Sequence, residues 1–314
     1  MKDDKMKMNN IPLVSVCVIT YNSSEFIIES LDSAYRQSYH NIELIVSDDC
    51  STDDTVEKIQ QWLSEFGHRF TKAVLLTASK NTGIAANHAK ALEQAQGEWI
   101  KFVDGDDILY PNAIRSFVSF VQKEKTEDIA LVVSSLKVFK ENPGNVLYTW
   151  PNFKISKNIH KQLKKQVIGS YIKSLSVFMK RDVLLKLGGF NLDYQMLEDD
   201  PLWIKFLTNG YKFHFNEDVL AGYRIHANAI SNGSLIPKEL FFPSLYAFKK
   251  EVIFPLMKKE RLYFNYIIQK QIYKIHEKLV CAEKVSKISR FRLKLLGYLN
   301  RTLLSGYAFL EYVS

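Results

Sequence analysis

The first 110 residues predict a doubly wound α/β domain with a mostly parallel sheet, and three observations carry that reading. Short runs of β-branched and apolar residues recur about 25–30 positions apart. Segments with helical periodicity lie between them, as βαβ units require. Carboxylates cluster where the runs end, and open α/β sheets bind ligands outside the carboxyl ends of their strands.

In chain order, VSVCVIT (14–20) is a first strand and Glu25–Gln37 an amphipathic helix. IELIVSDD (42–49) is a second strand ended by Asp48 and Asp49, and a helix follows from about Asp53 to Phe66 with Asp53 or Ser51 as its cap. AVLLTAS (73–79) is a third strand, a helix runs from about Gly83 to Ala95, and EWIKFVD (98–104) is a fourth strand ended by Asp104 and Asp106. The next stretch is more mixed: a helix opens at Pro111, IALVVSSLKVF is a strand, and an Asn-Pro-Gly turn at 142–144 leads into VLYTWP. Antiparallel additions to the sheet are expected there. After Pro237, Ile268, Ile272, Ile275 and Leu279 form an apolar stripe at helical spacing, with Lys270, Lys274 and Lys278 on another face.

With 314 residues, 46% hydrophobic and 24% charged, the chain can bury a full core. Cys17, Cys50 and Cys281 show no CxxC spacing, which argues against a disulfide framework or structural zinc and fits a reducing cytoplasm. The start, MKDDKMKMNN, has no signal-peptide core, and no apolar run reaches the roughly 18 residues that span a bilayer. The net charge of +8 belongs to the tail: residues 235–314 hold 15 Lys/Arg against 6 Asp/Glu, and 14 of the 40 aromatic residues. Nucleic acid and an anionic membrane surface are both candidate partners of such a tail. There is no GxGxxG after the first strand and no P-loop, which removes dinucleotide and P-loop readings.

The acidic motifs suggest chemistry. In an extended FVDGDD, Asp104 and Asp106 project together and Asp107 elsewhere. Two hard oxygen ligands suit Mg²⁺ or Mn²⁺, ions that complete their shell with waters and substrate phosphates. The alternative is that Asp107 caps the helix beginning near Pro111 while the others are solvated. Asp48 and Asp49 end another strand, where a carboxylate can accept the N3–H of uracil or thymine. NTGIAAN (81–87) brings backbone amides near a helix start, as a ligand site or as an ordinary turn at Gly83. In LEDDPLW (197–203) one carboxylate could act as a general base, or the acids could simply favour a helix N-terminus. Arg224 and His226, two apart in YRIHANAIS, could meet phosphate and metal, or could be structural.

Taken together in order, VSVCVITYN, IELIVSDDCSTDDT, NTGIAAN, GEWIKFVDGDDILYP, KLGGF, EDDPLW and YRIH resemble inverting glycosyltransferases of the family-2 type over about residues 12–231. The resemblance implies a GT-A fold, a mixed sheet flanked by helices with a helical C-terminal appendage. It implies a glycosyltransferase domain over 12–234, with a nucleotide-sugar half to about 110 and an acceptor half from about 111, between a disordered 1–11 and a basic helical 235–314. Thr20, Tyr21 and Asn22 would sit by the nucleoside, Asp49 would pair with the base, and Asp104 would lie by ribose or metal. Asn81, Gly83, Asn87 and Arg224 would also contact the nucleotide-sugar. Asp106 would be the main metal ligand, with Asp104 and His226 completing the site for Mn²⁺ or Mg²⁺. Asp199 would be the general base, Asp200 its competitor, and Glu198 would bind donor or acceptor hydroxyls.

The implied reaction moves a sugar from a UDP- or dTDP-sugar to a hydroxyl of a glycan, lipid-linked or growing, in surface-polysaccharide synthesis. The location expected is cytoplasmic, with the cationic aromatic tail either peripheral on the inner face of the membrane or a helical cap packed on the core with its lysines solvated. Two features depart from relatives: Asn87 is followed by His88 and Ala89, and EDDPLW adds Asp200 and Pro201 to the acidic pair. The rival is a non-catalytic nucleotide-sugar or glycan-binding module that keeps the fold. A sugar nucleotidyltransferase would want a Gly-rich basic loop that VITYNSSEF lacks, and no nucleic-acid motif accompanies the tail's charge.

Overall fold

The computed structural model describes residues 11–124, 129–151, 153–194, 196–227, 238–280 and 295, without the side chains of 238–240 and 275–280. Residues 1–10 of the disorder expected over 1–11, and most of the tail after Val280, fall outside these residues, while the Ile11 carbonyl accepts from Asn41 Nδ2 at 2.9 Å.

β1 (Val14–Thr20) is buried at all seven positions, which suits an unbroken apolar run covered on both faces. It pairs in parallel with β2 (Ile42–Asp48) on one side and β4 (Trp99–Asp104) on the other, and β3 (Ala73–Thr77) extends β2. The crossovers are α1 (Ile27–Tyr35), α2 (Thr55–Phe66) and α3 (Ile84–Gln94). The order β3-β2-β1-β4 reverses between β1 and β4, which opens a crevice at their carboxyl ends. Register aligns Thr20 with Asp48 and Ile19 with Asp104, so both acidic strand ends emerge at that edge.

The rest of the chain adds β5 (Ile108–Leu109), α4 (Ala113–Lys123), β6 (Leu131–Lys140), β7 (Val146–Trp150), α5 (Ile159–Ile168), β8 (Val177–Lys180), α6 (Arg181–Lys186), α7 (Asp200–Thr208) and β9 (His214–Ile225). β8 joins β4 to β6, antiparallel to both; β9 runs parallel to β6 and carries β5, and β7 hangs on β6. One nine-stranded mixed sheet therefore crosses residue 110, with the expected antiparallel additions. Trp99, Phe178 and Phe117 stack across the join at 5.1 and 4.9 Å.

Gly97 sits where β4 begins against β1. A Cβ there would lie 2.6 Å from both the backbone nitrogen and Oγ of Ser15. Gly97→Ala should cost about 1–3 kcal/mol through overpacking, read as a lower urea midpoint at unchanged slope.

The C-terminal helices α8 (Lys238–Phe248), α9 (Phe254–Lys259) and α10 (Tyr263–Val280), with a π-helical turn at Lys249–Ile253, pack on this sheet domain. Phe248, Ile253, Met257 and Leu262 join its core, Tyr194 donates to Glu251 at 2.8 Å, and Gln269 donates to the Ile168 carbonyl at 2.8 Å. Ile268 is buried and Ile272 half-buried, so the described part of the stripe faces the domain while Lys270 and Lys274 face out. The side chains of Ile275, Lys278 and Leu279 lie outside the described residues. No helix among the described residues is long and apolar enough to cross a membrane.

Candidate active site

The chain after β4 is a turn, which corrects the extended FVDGDD expected above. Asp107 N–H closes it on the Asp104 carbonyl at 3.0 Å, and Gly105 N–H is held by the Ile19 carbonyl at 2.8 Å. Glycine is needed at 105, because a Cβ would stand 2.9 Å from Thr20 Oγ1 and 3.0 Å from Ser23 Oγ. The turn separates the neighbouring carboxylates. Asp106 is half-buried, with Oδ2 2.9 Å from Nε2 of His226, whose ring meets Phe26 edge-on at 4.6 Å. Asp107 points inward: Oδ1 accepts the Arg224 backbone N–H at 2.7 Å and Oδ2 is buried without a partner. Asp107 therefore caps no helix; the residue at the N-cap of α4 is Asn112.

Arg224 and His226 both reach Asp106, but the arginine differs from expectation. Its guanidinium is 2% exposed and lies over Phe26 and Phe139 at 4.4 and 4.7 Å. Nε donates to the Asp106 carbonyl at 2.6 Å, Nη1 to the Glu141 carbonyl, and Nη2 to Glu29 at 2.6 Å. All three nitrogens are thus committed to the protein, which makes Arg224 a brace for the 104–107 turn in place of the phosphate contact expected.

The second acidic motif comes from the start of α7. Asp199 caps the helix, accepting the Asp200 N–H at 2.6 Å. Burial, then the charges of Asp200 and Asp104, push the Asp199 carboxyl up to about 8. Burial pushes Asp104 up to about 7, with the Asp106 charge adding to it and Lys101 opposing it. Glu198 and Asp107 rise well above the carboxylate range for the same reasons, burial first and neighbouring carboxylates second. Glu198 and Asp199 both feel the charge of Asp104, so two motifs about a hundred positions apart in sequence meet in one field. Asp200 turns away to α5, accepting from Gln166 Nε2 at 2.8 Å, and its carboxyl is raised by burial against the lowering effects of Ser170, Lys249 and Gln166.

Two lysines that the sequence reading passed over sit in this field. Lys101 is fully buried and donates to the carbonyls of Phe102 (2.9 Å) and Leu175 (2.5 Å); burial brings it down to about 7 against the pull of Asp104 and Asp107. Lys173 lies 4.5 Å over the Tyr223 ring, lowered by burial against the charges of Asp107 and Asp199. A lysine inside the apolar run WIKFVD, three positions before an acidic cluster, is the available sequence signal for the first.

A stability consequence follows from these carboxyls. Their folded values lie above the unfolded value of about 4, so the folded state holds protons more tightly. That stabilisation is complete below about pH 4 and is lost as pH rises through about 7 to 8. Melting temperature should fall between about pH 5 and 8, less steeply above pH 7 where Lys101, lowered to about 7 by burial, acts in the opposite direction, and Mn²⁺ should reduce the fall; a flat profile indifferent to Mn²⁺ would contradict it.

The nucleotide-side residues line the same edge. Thr20 is buried with its Oγ1 unpartnered, Tyr21 is 44% exposed, and Asn22, at φ 49°, accepts the Thr52 N–H at 2.8 Å. Asp49 is 3% exposed and its carboxylate accepts from Thr82 N–H, Thr82 Oγ1 and Gly83 N–H at 2.7–3.0 Å. Asp49 thereby ties β2 to the start of α3. Gly83, at φ 90°, also donates to exposed Asn81 at 3.1 Å. Asn87 is 2% exposed and bonds Ser47 Oγ, the Ser47 carbonyl and the Thr20 carbonyl. It is a buried staple between β1, β2 and α3, a correction to its expected ligand contact. The neighbouring His88 bonds the Ile84 carbonyl and is driven down to about 4 by burial between Phe102 and Phe190.

Among the described residues no three His, Cys, Asp or Glu side chains form a ready-made metal shell. Asp106 and His226 are in contact and Asp104 stands in the same field, a donor set of carboxylates and imidazole that suits Mn²⁺ or Mg²⁺. A cation here would favour ionisation of Asp104 and Asp107, whose carboxyls burial and their neighbours' charges now hold up.

Comparison with known proteins agrees with this fold. The chain is 26% identical over 226 residues to the Escherichia coli UDP-Glc:alpha-D-GlcNAc-diphosphoundecaprenol beta-1,3-glucosyltransferase WfaP, spanning 70% of this chain and 80% of that protein. It is 29% identical over 215 residues to an uncharacterized glycosyltransferase of Methanocaldococcus jannaschii, 68% of this chain and 71% of that one. Among solved structures, Staphylococcus aureus TarS 1-349 with UDP-GlcNAc superposes with a TM-score of 0.58 at 19% identity, over 77% of this chain and 66% of that one, just under two thirds of its length. Mannosyltransferase PcManGT of Pyrobaculum calidifontis, in complex with GDP-Man and Mn²⁺, gives 0.59 at 19% identity over 97% and 87%. Both show the GT-A fold. The Glycosyl transferase family 2 profile matches residues 15–185, more than half of the chain, and the protein belongs to that family.

Proposed function

We propose that this chain is a metal-dependent inverting glycosyltransferase that moves a sugar from a UDP- or dTDP-sugar to a hydroxyl of a lipid-linked glycan in surface-polysaccharide synthesis. The observation that carries the reading is the meeting of Asp104, Glu198 and Asp199 in one field beside Asp106, with the carboxyls of those three raised by burial and by neighbouring carboxylates. Asp106, His226 and Asp104 would hold Mn²⁺ or Mg²⁺, which supplies positive charge beside the leaving diphosphate. Asp199 accepts the proton of the acceptor hydroxyl. The acceptor oxygen bonds the anomeric carbon from the face opposite the diphosphate as the carbon–phosphate-oxygen bond breaks, and the diphosphate leaves with the electron pair. Glu198 orients the sugar hydroxyls, and Thr20, Tyr21, Asn22, Asp49, Asn81 and Gly83 form the nucleoside edge.

The E. coli relative's name, with UDP-Glc and a diphosphoundecaprenol acceptor, supports the donor and acceptor classes. Tyr263, Phe264 and Ile267 are exposed on α10 beside Lys270 and Lys274, a surface suited to an anionic membrane on the cytoplasmic side. The deciding experiment is thermal stabilisation by UDP, dTDP, GDP and CDP with and without Mn²⁺. Stabilisation by UDP or dTDP that needs the metal is expected, about 2.7 kcal/mol at a hundredfold excess over Kd. No stabilisation by any nucleotide would overturn the reading.

A further inference from the structure

Four lysines converge on a groove that the reaction above does not use. Lys250 of the π-helical turn, Lys258 of α9, and Lys270 and Lys274 of α10 line a concavity of about 540 Å³. We propose that it is a headgroup site, holding the phosphate of an anionic phospholipid. This site deepens the membrane contact inferred above, on which it rests, by naming what is recognised there.

The charge of the groove is uncompensated. No Asp or Glu among the described residues lines it, and none of the four lysines belongs to an ion pair among those residues. Glu251, next to Lys250 in the chain, is taken by the Tyr194 hydroxyl at 2.8 Å. The remaining sequence brings no remedy, because residues 281–314 add six Lys/Arg against two Glu. Ammonium groups gathered at one groove repel one another, and a bound anion removes that repulsion.

Two of the lysines are held in place. The ammoniums of Lys258 and Lys270 lie 5.0 and 5.4 Å from the centre of one ring, that of Tyr266, and Lys270 also donates to its hydroxyl at 3.1 Å. The Lys270 hydrogen bond, and then the charges of Lys258 and Lys270, lower the Tyr266 phenol, as an uncompensated positive field does. Tyr266 meets Phe254 edge-on at 5.6 Å, and Phe254, a core residue, meets Tyr273 at 5.9 Å. The floor of the groove is therefore anchored in the domain. Ammoniums set against a fixed ring lose less freedom on meeting a phosphate than lysines on an open surface, and each carries three N–H groups to offer.

α10 decides where the phosphate comes from. Tyr263, Ile267, Lys270 and Lys274 fall at i, i+4, i+7 and i+11, on one face of the helix. Tyr263 is 58% and Ile267 55% exposed. A soluble phosphate or a nucleic-acid backbone would use the lysines and leave those two side chains in water. A bilayer uses both, since its phosphates lie beside the apolar boundary that receives Tyr263 and Ile267.

Co-sedimentation of the full chain with phosphatidylglycerol or phosphatidylcholine vesicles tests the assignment. The first should bind and the second should not. A lysine near an anionic surface contributes about fivefold to binding, so Lys258→Ala/Lys270→Ala should weaken it by about twenty-five-fold. Lys123→Ala/Lys186→Ala removes the same charge from exposed positions outside the groove and should leave binding close to wild type. Ile267→Ser should weaken vesicle binding too, which a site for soluble phosphate would not show. All five positions are exposed, and melting temperature confirms that each variant folds.

Equal binding to both vesicles, or a control that falls as far as the groove variant, would overturn the headgroup site. So would binding of glycerol phosphate or of single-stranded RNA by a chain that ignores vesicles, which would assign the groove to a soluble phosphate or to nucleic acid. Phosphatidylglycerol binding that the groove variant leaves unchanged would overturn the headgroup site and leave the membrane contact standing. UDP stabilisation, read without lipid in the same preparations, keeps the two readings apart. Its loss with vesicle binding intact would remove the donor reading alone.

Discussion

Asp199→Asn should lower the rate of sugar transfer by about a thousandfold, the middle of the range for removing a general base, while UDP-dependent stabilisation persists. The carboxamide keeps the cap of α7 on the Asp200 N–H but cannot take the acceptor's proton. The Asp199 carboxyl is raised to about 8 by burial and by Asp200 and Asp104. The wild-type kcat/KM should therefore climb with pH toward that value, because the base is the deprotonated form. A bound cation, by offsetting the Asp104 charge, should move the climb to lower pH. The variant should lose the climb along with its rate. Asp200→Asn separates the competing base: Asp200 faces Gln166 and Lys249, so its substitution should leave the pH profile in place. Should Asp200→Asn erase the pH profile and Asp199→Asn keep it, the roles would be exchanged. Should Asp199→Asn leave every cellular phenotype unchanged, the non-catalytic module would be the better account.

The parallel half of the fold was readable because its signals are local. A strand covered on both faces needs an unbroken apolar run, and VSVCVIT and IELIVSD are such runs, buried throughout. β9 was harder: HFNEDVLAGYRI mixes exposed acids with apolar residues, and it becomes a strand by pairing with β6 across two register shifts. The acidic clusters were legible as strand ends, but their side-chain directions were not. The i, i+2 rule assumes an extended chain, whereas the chain turns at Gly105, where only a glycine fits against Thr20 at the end of β1 and Ser23 just beyond it. Asn87 looked like a ligand residue from its motif, whereas the carbonyls and hydroxyl it satisfies come from strands 40 and 67 positions away. Long-range partners decide such cases, and spacing within a motif carries no information about them.

Arg224→Met is the substitution with the largest expected cost in stability, about 3–5 kcal/mol, the range for removing one member of a buried charged network. Methionine can fill the space between Phe26 and Phe139 but offers no N–H to the carbonyls of Asp106 and Glu141. Asp107, already raised by burial and by the charges of Asp106 and Asp104, also loses the opposing positive charge. Glu29→Gln is the control: Glu29 is 44% exposed, so its share of the pair is worth only about 0–1 kcal/mol. Urea unfolding of both variants measures the difference. The same samples decide between the two roles of Arg224. A brace predicts a large fall in unfolding free energy, with nucleotide affinity reduced only as far as the 104–107 turn loosens. A phosphate ligand predicts near-normal stability and an abolished UDP response. With Nε, Nη1 and Nη2 all committed inside the protein, freeing this side chain for a phosphate would first require breaking the hydrogen bonds that hold the turn. An arginine that stabilises the turn from behind lets Asp106 keep its carboxylate toward His226, and that is the geometry a cation at this crevice would use.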